Sequence, residues 1–174
     1  MSRALFGIVA LGALWLAGAR SLAASSGDVV QIGESTPAFL IDTLDGGSIT
    51  ADFHGEPAYI NVFATWCPPC RREFPAILEQ TKQYRNRIAF LFVDEQEPPS
   101  RVKTFTLQLG VPTPVAVDRG QFAATFNVQG LPESIFIDRQ GIVRYIYRGT
   151  IPDSVLASEL SKLAADSSVP VVAR

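Results

Sequence analysis

Side chains that hold metals or cofactors are scarce in this 174-residue chain: one histidine, one methionine and two cysteines. A structural zinc site needs four nitrogen or sulfur ligands, and Cys67, Cys70 and His54 fall short of that number. Two cysteines are also too few for a disulfide framework. No histidine follows Cys70, which excludes a c-type haem attachment sequence. Charge is sparse as well. Charged residues make up 18% of the chain and the net charge is -2, with no basic block, so nucleic-acid binding has no electrostatic support. Internal repeats and low-complexity segments are missing. Hydrophobic residues reach 47%, enough for a packed core and too many for global disorder.

What is present begins with a targeting segment at 1–26. Arg3 supplies a positive start, Ala4 to Ala19 is an unbroken apolar or small run of 16 residues, and Ser21-Leu22-Ala23-Ala24 offers a signal peptidase small residues. The run is short of the ~20 residues of a comfortable membrane span. A cleaved signal peptide is therefore the first reading, and an uncleaved N-terminal membrane anchor the second. A lipid-modified cysteine is excluded, because no cysteine lies nearby. Either reading exports the remainder: a domain at 27–165 and a short tail at 166–174. Outside the cytoplasm a reducing thiol site needs its own electron source, which implies a membrane electron donor as partner.

The domain alternates strand and helix signals. Pro37 to Ile41 and Ser48 to Thr50, joined by Asp45-Gly46-Gly47, predict a hairpin. Ala58 to Ala64 and Ile88 to Val93 are apolar throughout, as strands covered on both faces are. Between them, Arg71 to about Tyr84 has helical spacing, with Pro75 expected to kink it. Asp94 to Pro99 reads as a polar loop, Val102 to Leu109 as a helix stopped by Gly110, Thr113 to Val117 as an edge strand and Arg119 to Phe126 as a short helix. Glu133 to Asp138 and Ile142 to Tyr147 flank an Arg139-Gln140-Gly141 turn, and Asp153 to about Ala164 is a last helix. The fold class is α/β, a central mixed sheet with helices on both faces.

The chemistry concentrates in Trp66-Cys67-Pro68-Pro69-Cys70, at the junction of a buried strand and a helix. Cys-x-x-Cys in that position reads as a dithiol/disulfide redox site. Cys67 at the helix N-terminus meets unpaired N–H groups and the positive end of the macrodipole, both of which favour a thiolate. Cys70 lies a turn further on the same face, so the two sulfurs can form one disulfide. Cys67 is then the nucleophile towards a partner's disulfide and Cys70 the resolving thiol. No cofactor is called for beyond the cysteine pair itself. Pro69 has no side-chain donor to hold a thiolate, which points towards reduction. Trp66 is either a shield for the sulfurs or a core aromatic.

Trp66 to Pro75, followed by Gly130-Leu131-Pro132 and Ile135 to Gly141, resembles the thioredoxin-like proteins of the TlpA/ResA and CcmG/DsbE type. The likeness runs from about Ile32 to Leu163. It implies a thioredoxin-like fold with an N-terminal β-hairpin extension and an exported thiol–disulfide oxidoreductase, a protein-disulfide reductase often engaged in cytochrome c maturation. It also implies a cis peptide before Pro132, with the Leu131 backbone open to an extended segment of a disulfide-bearing protein substrate. Thioredoxins proper carry an acidic residue six positions before the first cysteine; in this chain that residue is Asn61, and the resemblance gives the ionisable role to Glu73. If buried, Glu73 would raise the thiol pKa values and accept a proton; the plainer reading is a solvated glutamate beside Arg71 and Arg72. Glu133, which is nearer the CcmG/DsbE pattern than the ResA-like pair of threonines, is expected as a surface residue at a strand start, with contact to a basic partner or to the active-site groove as the alternative.

Two competing functions have weaker support. Related thiol peroxidases carry Pro and Thr seven and three residues before the reactive cysteine, where this chain has Ile60 and Ala64. Related copper-binding assembly proteins use Cys-x-x-x-Cys with a distant histidine, and the spacing in this chain is one residue short.

Overall fold

The computed structural model describes residues 29–112 and 114–166. The segment read as a leader lies outside the described residues, as does the tail beyond Asp166. Among the described residues no helix is long and apolar enough to cross a membrane.

Seven strands form one sheet: β1 (Phe39–Thr43), β2 (Ser48–Ala51), β3 (Ala58–Phe63), β4 (Ala89–Glu95), β5 (Val115–Asp118), β6 (Glu133–Ile137) and β7 (Val143–Arg148). Their order is β2-β1-β5-β4-β3-β6-β7. The β3, β4 and β5 strands run parallel, and the remaining pairings are antiparallel. Parallel neighbours need crossovers. The first is α1 (Pro68–Tyr84), between β3 and β4, and the second is α2 (Pro99–Leu109), between β4 and β5. A short α3 (Gln121–Thr125) precedes β6, and α4 (Asp153–Asp166) follows β7.

Side chains alternate across β3, which divides the core in two. Tyr59 and Phe63 face α1, α2 and α4, in a cluster with Cys67, Cys70, Phe74, Phe92, Phe105 and Leu160. Ile60 and Val62 face the opposite side, where α3 and the N-terminal residues bring Phe122, Phe126 and Val30. All six residues of β3 are buried, as the apolar run requires. α1 buries Cys70, Glu73, Phe74, Ile77, Thr81 and Tyr84 along one stripe. It runs through Pro75 without interruption. Pro75 and Arg71 are both exposed, so the carbonyl freed by the missing N–H lies on the wet side of the helix.

Two local expectations need correction. The segment expected as an edge strand, β5, is interior, paired with β4 on one side and β1 on the other, and all four of its residues are buried. An edge-like sequence went inside because the β1–β2 pair covers its open side. The expected polar loop at 94–99 is partly core. β4 extends through Asp94 and Glu95, the Asp94 side chain is fully buried and Glu97 is buried as well. Pro99 starts α2 three residues earlier than the apolar pattern suggested, and Gly110 ends it at a φ of 68°.

Candidate active site

The turn that leaves β3 delivers Cys67 to the head of α1. Cys67 is the N-cap residue, with extended backbone, and its carbonyl accepts the first helical bond from Arg71 N at 3.2 Å. Pro68 and Pro69 occupy the next two positions, where a missing N–H costs no helical hydrogen bond. The first amide available to the cap side chain is therefore that of Cys70, whose N–H points at Cys67 Sγ from 3.2 Å. A helix start without prolines could offer more such donors. Cys67 and Cys70 are joined in a disulfide, with the Cα atoms 5.3 Å apart. Both are buried, and Cys67, at 3%, keeps the small exposure that Cys70 lacks. Trp66 lies outside the core, 63% exposed, which rules out its reading as a core aromatic.

Thr65, two residues before Cys67, is held at three points. Its amide and its hydroxyl both donate to the Glu97 carboxylate, the hydroxyl over 2.7 Å, and its carbonyl accepts from Arg71 Nη1 at 3.3 Å. The Glu97 amide in turn donates to Asp94 Oδ2 at 3.0 Å. Burial pushes the Asp94 carboxyl up from the ordinary aspartate range; the Glu97 amide pulls against that rise and the Glu97 carboxylate adds to it. These two acids beside the cysteine turn were not legible as site residues. The register that sets Asp94 opposite Phe63 appears only in the folded sheet.

Glu73 is not a solvated partner of the arginines. It is 4% exposed, one turn after Cys70 on the buried stripe of α1. One carboxylate oxygen accepts from Asn61 Nδ2 at 3.0 Å and the other from the Ile151 amide at 3.1 Å. Burial, the largest influence, raises Glu73 to about 7 against the pull of these two donors.

Glu133 likewise departs from the surface position expected of it. It is fully buried at the start of β6, with Oε2 3.2 Å from Arg148 Nε across the β6–β7 pair. Desolvation raises its pKa and the Arg148 guanidinium opposes that rise. The Leu131–Pro132 peptide is cis. The register that sets Glu133 opposite Val62 carries Pro132 to the end of β3, where the chain turns towards Cys67. Leu131 packs, half-buried, against the cluster that contains both cysteines. The structure thus brings Cys67, Cys70, Glu73, Leu131 and Pro132 to one end of the sheet, with Trp66 exposed beside them. His54 lies at the other end of β6, bonded to Asp52 and against Gly141 in the β6–β7 turn.

The chain is similar to known proteins in sequence and in fold. Residues 32–146 match the model of the AhpC/TSA family. The thiol-disulfide oxidoreductase ResA of Bacillus thuringiensis (strain Al Hakam) is 36% identical over 117 residues, covering 66% of this chain and 68% of that protein. The ResA of Bacillus cereus (strain ATCC 10987 / NRS 248) is 32% identical over 142 residues, covering 80% and 82%. Among solved structures, a thiol:disulfide interchange protein of the thioredoxin family from Chlorobium tepidum TLS superposes with a TM-score of 0.69 at 26% identity, over 77% of this chain and 98% of that one. MTB DsbF, solved in mixed oxidised and reduced forms, superposes with a TM-score of 0.67 at 26% identity, over 72% and 94%. The mixed sheet, the flanking helices and these relatives together place the chain in the AhpC/TSA family, as a thiol–disulfide oxidoreductase of the ResA/DsbE type with a thioredoxin-like fold.

Proposed function

We propose that the protein is an exported reductase of protein disulfides, serving cytochrome c maturation or a like task, with Cys67 as nucleophile and Cys70 as resolving thiol. The observation that carries this reading is the Cys67 sulfur at the N-cap of α1, facing the Cys70 amide and bonded to the Cys70 sulfur.

In the reduced protein, the Cys67 thiolate attacks one sulfur of the partner's disulfide. The partner's other sulfur leaves as a thiolate and takes up a proton. Cys70 then loses its proton and attacks the Cys67 sulfur, which releases the second partner thiol and forms the Cys67–Cys70 disulfide. Two electrons have passed to the partner. Glu73, a turn below Cys70 and ionising near neutral pH, is suited to take the Cys70 proton. While ionised, it opposes a thiolate beside it, which makes the pair give up electrons more readily. The single amide left at the cap by Pro68 and Pro69 acts in the same direction. A membrane-bound dithiol donor would then return the pair to its reduced form. The Trp66 ring, exposed beside Cys67, and the Leu131–Pro132 segment form the seat for the substrate chain. Export rests on the Arg3 and Ala4–Ala19 pattern. The peroxidase alternative lacks the residues it needs, since Ile60 and Ala64 are buried and apolar.

Insulin reduction under a dithiol supply tests the assignment. The wild-type chain should accelerate it and Cys67→Ser should not, while Cys70→Ala should accumulate a mixed disulfide with its partner. Equal rates for wild type and Cys67→Ser would overturn the reading. Glu73→Gln should lower the pH at which reduced Cys67 is alkylated, and an unmoved profile would leave Glu73 without influence on the thiols.

A further inference from the structure

Cys67 reaches the head of α1 through a tight turn, Ala64-Thr65-Trp66-Cys67, closed by the Cys67 amide donating to the Ala64 carbonyl at 3.2 Å. Thr65 is the first central residue of that turn, and its polar groups are engaged outside it. Its amide and its hydroxyl donate to the two oxygens of Glu97, and its carbonyl accepts from Arg71. The turn between β3 and α1 is thereby tied to the segment between β4 and α2, 32 residues further along.

Glu97 is itself held. Its side chain is 5% exposed, its amide donates to Asp94 Oδ2 at 3.0 Å, and Pro98 and Pro99 follow it into α2. Proline fixes φ, so the arm that carries the carboxylate has little freedom. Arg101, on the first turn of α2, places Nη1 3.7 Å from the Oε1 that takes the Thr65 hydroxyl. Arg71 lies over the Phe105 ring, 4.9 Å from its centroid, so the carbonyl side of Thr65 is anchored to α2 as well. The grip caps neither helix: both Glu97 oxygens are engaged by a single residue of the cysteine turn.

We propose that Glu97 and Thr65 are positioning residues for the cysteine pair: by fixing the turn they hold the Cys67 sulfur within bonding reach of Cys70 in the reduced protein as they do in the disulfide. The inference rests on Cys67 and Cys70 exchanging disulfides as proposed for the reductase. Freedom withheld from the two thiols raises the effective concentration at which one meets the other. That favours the intramolecular disulfide and makes the dithiol the stronger reductant.

The test is equilibration with glutathione. The protein's two thiols become one disulfide as one glutathione disulfide becomes two glutathione thiols, so the equilibrium constant reads the effective concentration of the pair. Glu97→Ala should lower that constant about tenfold, which is about 30 mV for this two-electron couple. The mixed disulfide between Cys67 and glutathione should also persist longer, because Cys70 meets it less often. Thr65→Val keeps the amide bond and loses that of the hydroxyl, so it should fall between Glu97→Ala and wild type. Glu97→Gln should stay within about threefold of wild type, because its carbonyl can take the Thr65 amide while its N–H₂ faces the hydroxyl oxygen. Asp118→Ala, which acts on α3, is the control: a lower urea midpoint with the glutathione constant unmoved. A constant unmoved in Glu97→Ala, even with a lower melting temperature, would make Glu97 a packing residue alone and overturn the proposal. A loss in Glu97→Gln as large as in Glu97→Ala would assign the effect to charge and overturn it too. Glutathione serves as the partner in this measurement, so failure of the insulin assay beside an intact grip would count against the reductase reading alone.

Discussion

Glu73 couples this site to pH in a direction that can be worked out. The folded protein holds the Glu73 proton up to about pH 7, whereas an unfolded chain releases it near 4.5. Between those values the folded state binds more protons, so this residue's contribution to stability falls as pH rises. Urea denaturation of the oxidised protein at pH 5 and pH 8 should show the loss. Glu73→Gln should flatten it, with a difference from wild type of about 1–3 kcal/mol between the two pH values. An unchanged slope would mean that Glu73 ionises as an ordinary surface glutamate does. Neither Glu73 nor Glu133 could be recognised as buried from its own letter. A glutamate looks the same whether it pairs with water or with Arg148. The spacing from Cys70 placed Glu73 on the cysteine face, but the lid over it, the Ile151 amide, comes from a segment 78 residues further along.

Among the elements, α3 depends most visibly on one side chain. It has five residues, too few to stand on hydrogen bonds of its own. Asp118 at the end of β5 accepts from the amides of Phe122 and Ala123 at 2.9 and 3.0 Å. Those bonds set the helix where Phe122 and Phe126 can stack, 4.4 Å between ring centroids, over the second core cluster. Asp118→Ala should cost about 1–2 kcal/mol, seen as a lower urea midpoint with an unchanged denaturant slope. A midpoint within error of wild type would show that the aromatic packing alone seats the helix. The central elements were more readily legible. β3 and α1 follow from an apolar run, two prolines at a helix start and a 3–4 spacing of buried residues. The reach of β4 and the start of α2 were missed, because the acidic letters at 94–97 look like a loop until Thr65 gives Glu97 its hydrogen bonds.

For the molecule as a whole, Phe74 is the residue that ties the redox helix to everything else. It is fully buried on α1, and its ring meets Phe63 of β3, Phe92 of β4 and Phe105 of α2 at centroid distances of 5.1, 5.9 and 5.5 Å. Phe74→Ala leaves a hole where two crossovers meet the sheet. The expected cost is about 3–5 kcal/mol, and a fall in melting temperature on the order of 10 °C. A loss below about 1 kcal/mol would mean that the helix collapses into the space, and with it moves Cys70, four residues earlier.

The amino-acid order by itself determined the strand–helix alternation, the place of the cysteine pair at a helix start and the helical face that Glu73 shares with Cys70. These are local matters: periodicity, proline's missing N–H and the pitch of one helix act over a few residues. Tertiary structure alone decided that β5 lies inside the sheet, that Glu133 meets Arg148, that Glu97 grips Thr65 and that Asn61 and the Ile151 amide meet on Glu73. Each of those joins segments distant in the chain. Burial and hydrogen-bond partners are properties of the packed whole, and they determine whether a carboxyl is an ordinary surface charge or a group that ionises near neutrality.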